Sequence, residues 1–316
     1  MPDLPDSASG ARANAHDLLA AIRTLQRLEQ EQRAATAAER RLLARFPGFG
    51  PVALRLFPDP VTGAYRDGAW QEMGEALQSL LTPEEYASAR RATFTAFYTA
   101  PVVMQAMHDA LAYLGLPPHA LVLEPGCGIG HFMGCAPAGM RFIGVELDRI
   151  SGRIARALYP AHDIRLEHFR DTSLPQGRID AVLGNVPFAD VTLAYRGDRL
   201  ALHDYFLAKS LDALKPGGVM AVVTSHYTLD KQHPGICHRL AAQGDFLGAI
   251  RLPSDAFTRQ GTSVVTDLVF LKKRAPGEAP HHADSAWLET APLAIEGVEI
   301  PINTYFLTYP EMVLGT

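Results

Sequence analysis

The sequence predicts an α/β fold of the Rossmann-like type: a seven-stranded, mostly parallel sheet with an antiparallel pair at one edge, preceded by a helical region. Three observations predict it. From about residue 120, short apolar runs alternate with helical stretches, the pattern of a parallel sheet covered on both faces. The first run leads into a glycine-rich turn, Gly126-Cys127-Gly128-Ile129-Gly130. The second ends in an acid, Glu146, 20 residues after Gly126, where a strand tip can accept both hydrogen bonds of a ribose diol.

Residues 1–10 (MPDLPDSASG) are polar and predict a disordered leader. Leu18, Ile22, Leu25 and Leu28 then recur at helical spacing. Thr36 with Glu39 has the capping-box spacing and opens a second helix to about Arg45. Phe46-Pro47-Gly48-Phe49-Gly50-Pro51 cannot stay helical, and Thr82-Pro83-Glu84-Glu85 starts another helix with its proline at the first position. A helix follows over 101–114, stopped by Gly115 and the prolines at 117 and 118. Strands are predicted at 120–124, 141–147, 163–169, 179–185, 218–225, 246–252 and 264–272, with helices at 149–158 and 200–214. Only a loop, 253–263, separates the last two strands. It is too short for a helical crossover, so the pair is antiparallel. The predicted units are a helical N-terminal region (1–95), the α/β domain (96–274), and a linker with a C-terminal extension (275–316).

The chain has 316 residues, is 47% hydrophobic and carries a net charge of −5. That charge excludes a protein that grips nucleic acid through bulk electrostatics alone, although it allows a local basic face. No stretch is long and apolar enough to span a bilayer. Cys127, Cys135 and Cys237 are odd in number and scattered, which predicts a reducing, cytoplasmic setting rather than a disulfide framework.

The glycine turn and Glu146 fit two cofactor classes. A dinucleotide fingerprint wants glycine at 131, where this chain has His131. It also presents a helix N-terminus to pyrophosphate, beside which the carboxylate of Glu124-Pro125 is repulsive. Beside the ammonium of a methionine moiety the same carboxylate is favourable. S-adenosylmethionine is therefore the predicted cofactor, bound by Glu124, Pro125, Gly126, Gly128, Gly130, Glu146 and Leu147. The run Leu166-Glu167-His168-Phe169 supplies no clear acid for the adenine ring, and Phe169 is the residue predicted to pack against it.

The fourth strand runs into Asn185-Val186-Pro187-Phe188, beyond the carboxyl ends of the strands where open α/β sheets bind ligands. This tetrapeptide resembles the Asn-Pro-Pro-Tyr/Phe motif of amino-group methyltransferases, and Glu124-Pro125-Gly126-Cys127-Gly128-Ile129-Gly130 resembles their first motif. Tyr98-Thr99-Ala100-Pro101 is similar to the element that opens the gamma-ordered adenine-N6 DNA methyltransferases. The resemblance implies a class I methyltransferase fold, with Tyr98 and Thr99 added to the cofactor site. Its implied activity is methyl transfer to the exocyclic amine of adenine in DNA. The chemistry follows from the residue types. A ring-conjugated amine is a weak nucleophile, and two acceptors, the Asn185 side-chain oxygen and the Val186 carbonyl, aim its lone pair at the donor. Phe188 stacks on a base flipped from the duplex.

A wider resemblance covers most of the chain. The tetrapeptide, His203-Asp204-Tyr205-Phe206, Lys215-Pro216-Gly217-Gly218 and Gly261-Thr262-Ser263-Val264-Val265-Thr266-Asp267 are similar to the methylase region of large helicase–methylase proteins of bacterial mobile elements. So are Ala44-Arg45-Phe46-Pro47-Gly48-Phe49-Gly50 and Pro310-Glu311-Met312-Val313-Leu314-Gly315. The implied partners are DNA and a helicase motor, linked or separate. Val186 stands where the wider motif has proline, although valine is usual in these larger proteins.

Two other functions stay open on sequence alone. One is the same chemistry on RNA or on protein glutamine, whose enzymes share the tetrapeptide but lack the Tyr-Thr-X-Pro element. The other is an inactive cofactor- and DNA-binding module, for which Val186 and the mere 42 residues after Arg274 speak. Arg196 and Arg199, in the loop after Phe188, are the candidate DNA contacts. The spacing of Cys127, His131 and Cys135 matches no zinc pattern. His281-His282 and Lys272-Lys273-Arg274 read as solvated charge.

Overall fold

The computed structural model describes residues 10–92, 99–232, 234–254, 256, 265–295 and 297–314. The leader at 1–9, Tyr98, the 261–264 part of the Gly261–Asp267 motif, and Gly315 lie outside the described residues.

The N-terminal region is helical, as its periodicity predicts. Its helices are α1 (Ala11–Gln30), α2 (Ala37–Leu43), α3 (Ala53–Leu56), α4 (Gly68–Leu80) and α5 (Pro83–Ala92). Both capping motifs form. The Thr36 hydroxyl accepts from the Glu39 N–H at 3.3 Å, and the Glu39 carboxylate accepts from the Thr36 N–H at 2.9 Å. Thr82 and Glu85 make the same exchange at 3.2 and 2.9 Å. Phe46 and Phe49 are buried and meet edge-to-face at 5.5 Å, so the Phe-Pro-Gly-Phe-Gly turn is a core element of this region.

From α6 (Pro101–Tyr113) the chain alternates: β1 (Leu121–Pro125), α7 (His131–Cys135), β2 (Arg141–Glu146), α8 (Arg149–Leu158), β3 (Asp163–Leu166) and β4 (Ile179–Asn185). A hairpin follows, β5 (Thr192–Tyr195) and β6 (Asp198–Ala201), then α9 (Leu202–Ala213), β7 (Leu214–Ser225), α10 (Gly235–Ala241), β8 (Gly244–Arg251) and β9 (Thr266–Lys273). The main sheet has seven strands in the order β3-β2-β1-β4-β7-β9-β8. All ladders are parallel except those of β9, which runs antiparallel to both β7 and β8. The direction of strand addition reverses between β1 and β4. That is the switch point at which such sheets open a crevice.

The N-terminal helices pack on α8. Ile150 and Ile154 join their apolar cluster, while Arg153 pairs with Glu29 of α1 and Glu85 of α5.

The C-terminal stretch is more than a linker and tail. It forms the hairpin β10 (Thr290–Ile295) and β11 (Val298–Asn303), then α11 (Thr304–Thr308). Trp287 is fully buried and stacks on Phe246 of β8 at 4.8 Å. Asn303, also fully buried, donates to the carbonyls of Leu229 and Trp287 at 3.1 and 2.8 Å. Two residues read as solvated are structural instead. His282 Nδ1 accepts from the Phe246 N–H at 3.1 Å. Arg274 is buried and donates to the Gly244 carbonyl and to Asp245 at 2.8 and 2.7 Å. Among the described residues, no helix is long and apolar enough to cross a membrane.

Candidate functional site

The strand tips next to the switch point surround one cavity of about 490 Å³. The turn after β1 supplies Gly126 and Gly128, the tip of β2 supplies Glu146 and Leu147, and the tip of β4 supplies Asn185, Pro187 and Phe188. Thr99, Glu124 and Phe169 also line it. Ten of the residues singled out in the sequence therefore share one space. Pro125, Gly130 and Val186 are buried behind its walls.

Glycine at 126 has a steric reason. Its φ is +77°, and a β-carbon there would stand 3.3 Å from Cδ of Pro187. The cofactor turn and the tetrapeptide are thus in contact through the one residue type that fits. The turn is held by backbone bonds: the Gly126 and Cys127 N–H groups donate to the Val145 carbonyl at 2.8 and 3.0 Å. Glu146 fixes it from the side, accepting from the Gly128 N–H and the Asp148 N–H, both at 2.7 Å.

The cavity is rich in buried carboxylates. Glu124 is 2% exposed, and its Oε2 has no hydrogen-bond partner among the described residues. Burial, and then the charge of Glu146, push its carboxyl well above the usual range. Glu146 is raised to about 7, mainly by burial and then by Asp148. Asp148 caps α8 through Ser151 and is raised by burial as well. His131 faces the same cavity, and burial lowers it to about 4, so it is neutral at pH 7. The arginines on the lining, Arg91 and Arg170, are both exposed. A buried carboxylate without a partner is costly. The cavity therefore favours a ligand that brings positive charge and donors, and disfavours a polyphosphate.

Beyond Asn185 the chain keeps pairing: the Val186 N–H donates to the Val223 carbonyl at 3.0 Å, and the Val186 side chain is buried. Residues after Phe188 border the cavity through Val191, Leu193 and Leu202. The loop expected there is the β5–β6 hairpin, closed by Arg196-Gly197, both with positive φ. A two-residue turn ending in glycine is its sequence signal, overlooked in favour of a loop. The hairpin folds back along α9. Its root is tied by the Leu202 N–H to the Val191 carbonyl at 2.9 Å. Its tip is held by Arg196 on Asp212 at 2.9 Å and by Tyr195 on the same carboxylate. Asp212 lies ten residues further along α9 than Leu202, about 15 Å at the helical rise. Arg196 is thereby carried to the amino end of β7, the far end of the sheet from Asn185. Arg199 is exposed and donates to Thr192 Oγ1 at 2.8 Å. The expectation that Arg196 borders the reacting group is corrected by this fold-back.

Several lining residues were missed in the sequence. Phe49, Ser88 and Arg91 come from the N-terminal region, and Phe206 comes from α9. The helical periodicity that identifies these elements says nothing of which cavity they meet. Glu167, His168 and Arg170 line the far side because β3 stops at Leu166, not at 169, and turns over the cavity.

No protein-family model matches the chain. Over 196 residues it is 32% identical to the "Defense against restriction protein B" of Escherichia phage P1, a match that takes in 59% of this chain and 8% of that relative. Among solved structures, the methyltransferase subunit of a type I restriction-modification system from Streptococcus thermophilus superposes with a TM-score of 0.51 at 16% identity. That superposition covers 93% of this chain and 73% of the other. The M protein of the type I restriction enzyme EcoKI gives a TM-score of 0.45 at 18% identity, covering 83% and 62%. At 16% identity the likeness to the Streptococcus thermophilus subunit is one of architecture, and the fold of this chain is the class I methyltransferase fold.

Proposed function

We propose that the chain binds S-adenosylmethionine and transfers its methyl group to the exocyclic N6 amine of adenine in DNA. The observation that carries the reading is the meeting of two loops: Gly126 and Glu146 line the same cavity as Asn185 and Phe188, with Gly126 packed against Pro187. The residues present fit the cofactor. Glu124 offers a buried carboxylate oxygen to the ammonium, Glu146 two acceptors to the ribose diol, and Thr99 a buried hydroxyl without a partner among the described residues. Leu147 and Phe169 give apolar surface to the adenine ring. When bound, the cofactor supplies an electrophilic methyl group on a sulfonium.

The chain's own part is positioning. The Asn185 side-chain oxygen and the Val186 carbonyl accept the two N–H bonds of the amine. The lone pair is thereby drawn out of the ring and toward the methyl group. Phe188 stacks on the extruded base, and the apolar residues Val191, Leu193 and Leu202 keep water from the reacting nitrogen. Arg199 on the exposed face of the hairpin is a proposed phosphate contact. The resemblance to helicase–methylase proteins, together with the much greater length of the phage relative, supports the further proposal that this methylase works with a motor on mobile-element DNA.

The test is mass spectrometry of nucleosides from DNA treated with protein and cofactor. N6-methyladenine is the expected product. Asn185→Ala is expected to keep cofactor affinity and to lose about 100-fold or more in transfer. Transfer to RNA or protein with none to DNA sinks the substrate assignment. Loss of cofactor binding in Asn185→Ala sinks the role given to that side chain.

A further inference from the structure

Between β3 and β4 the chain makes a tight turn over the cavity, in which the Asp171 N–H donates to the His168 carbonyl at 2.9 Å. The Thr172 hydroxyl donates to the same carbonyl at 3.1 Å. This turn carries Glu167, His168, Phe169 and Arg170 onto the cavity lining. Phe169 and Thr172 are buried, Arg170 between them is exposed, and the Phe169 carbonyl accepts only a long bond of 3.4 Å from the Thr172 N–H, so the buried carbonyls of this turn depend on a further donor from inside the protein. Lys209 of α9 supplies the donors. Its ammonium donates to the carbonyls of Phe169, of Arg170 at 2.8 Å and of Thr172 at 3.1 Å. It also stands 4.9 Å from the centre of the Phe169 ring. Among the described residues Lys209 pairs with no carboxylate, so all three of its N–H groups serve this turn. One helical turn earlier on α9, Phe206 packs against Phe169 at 4.8 Å and lines the same cavity.

We propose that Lys209 is a positioning residue that shapes the nucleoside end of the cofactor cavity. It gathers three backbone carbonyls of the 169–172 turn and so holds Phe169 against α9. The inference rests on the cofactor reading above and adds a residue outside the cavity lining. The strand order sets which end is meant. Glu124 is on β1, Glu146 on β2, and this turn follows β3, so a ligand held by both acids extends toward the turn with the part beyond its ribose.

An ammonium has three N–H donors in a compact head, while a methionine of similar length has none. Replacing one by the other leaves the Arg170 and Thr172 carbonyls to find water and the Phe169 carbonyl with only the long Thr172 N–H bond of 3.4 Å, and the turn that carries Phe169 loosens. Lys209→Met is therefore expected to raise the dissociation constants of S-adenosylmethionine and S-adenosylhomocysteine alike, by about tenfold or more. Turnover at saturating cofactor is expected to stay within about twofold, because Asn185 and Phe188 are untouched. Lys209→Arg, which keeps donors and charge, is expected to recover most of the affinity. The control is Lys215→Met. Lys215 pairs with Asp180 at the opposite end of the sheet, and its loss is expected to leave both dissociation constants unchanged. Should Lys209→Met fail to fold, Lys209→Gln, with two donors on a shorter neutral arm, is expected to show a smaller loss of the same kind.

Equilibrium titration by calorimetry reads these constants without any turnover. Unaltered affinity in Lys209→Met, or in Lys209→Gln where the former does not fold, overturns the inference. An equal loss in Lys215→Met also does, since the effect is then one of general stability. A wild-type protein that binds neither ligand overturns the cofactor reading itself, a result distinct from wild-type binding with an unaltered variant.

Discussion

The buried acids make cofactor affinity depend on pH in a direction that can be worked out. Glu146 accepts two backbone N–H bonds in the empty protein, yet burial and Asp148 still hold its carboxyl at about 7. A ribose diol donates to the ionised form. Below pH 7 the ligand must therefore first displace a proton, and its apparent affinity falls by up to tenfold for each further pH unit. Through Glu146 alone, the dissociation constant should rise by about 16-fold from about pH 7 down to about pH 5.5. Glu124 is held well above the ordinary carboxylate range, also by burial and then by Glu146. Its ionisation for the ammonium adds to the gain in affinity as pH rises. Calorimetric titration of S-adenosylhomocysteine across this range measures the slope. Repeating it in two buffers of different ionisation enthalpy counts the protons released. Glu146→Gln should flatten the lower part of the curve and bind weakly throughout. An affinity constant within twofold from about pH 5.5 to about pH 8.5, with no proton release, would refute this account of the cavity.

The same groups set the stability of the empty protein. An acid raised by folding keeps its proton longer in the folded state, so stability present below about pH 4.5 is lost as pH climbs through about 7. For Glu146 alone, moved from 4.5 to about 7, the loss is about 3 kcal/mol at about 1.4 kcal/mol per pH unit. Thermal melts without ligand should drop between those limits, and a rising melting temperature there would contradict the assignment. Gly126→Ala forces a β-carbon into a backbone with φ +77° and against Pro187. Cofactor titration and methyl-transfer assays should both show losses, since the displaced ring belongs to the tetrapeptide. Trp287→Ala empties a fully buried site stacked on Phe246 and should cost about 3–5 kcal/mol in denaturant unfolding. A cost below about 1 kcal/mol would mean the C-terminal stretch is not part of the core.

Much of the fold is legible in the sequence because its signals are local. β4 and α8 begin and end where the pattern puts them. Both capping boxes form where Thr and Glu stand three apart. What is not legible depends on partners distant in the chain. The pattern shows that the last two strands are antiparallel, but it does not show that β9 inserts between β7 and β8. The order is set by burial of Leu268, Val269 and Leu271, which look like any apolar strand. The C-terminal stretch is opaque for the same reason. Trp287, Ile302, Tyr305 and Phe306 follow no period, and they join an apolar cluster in which Trp287 and Tyr305 pack on Phe246 of β8 and Phe306 lies under the Arg251 guanidinium. His282 and Arg274 look like surface residues until their partners on β8 are known.

The site is legible where one residue type is required, and the departure at Val186 shows why a motif tolerates change. Proline in that position limits backbone freedom through its ring. Valine does not, but it has an N–H, and that N–H donates to the Val223 carbonyl at 3.0 Å. The bond adds one more link between the ends of β4 and β7, and the buried isopropyl group anchors the residue from below. A proline at 186 would forfeit that link. The ring that remains, Pro187, is the one that touches Gly126. The tetrapeptide is therefore held on one side by a ladder hydrogen bond and on the other by a contact that only glycine permits. The carbonyl of Val186 is fixed by its neighbours in space, so its rigidity does not depend on a second proline.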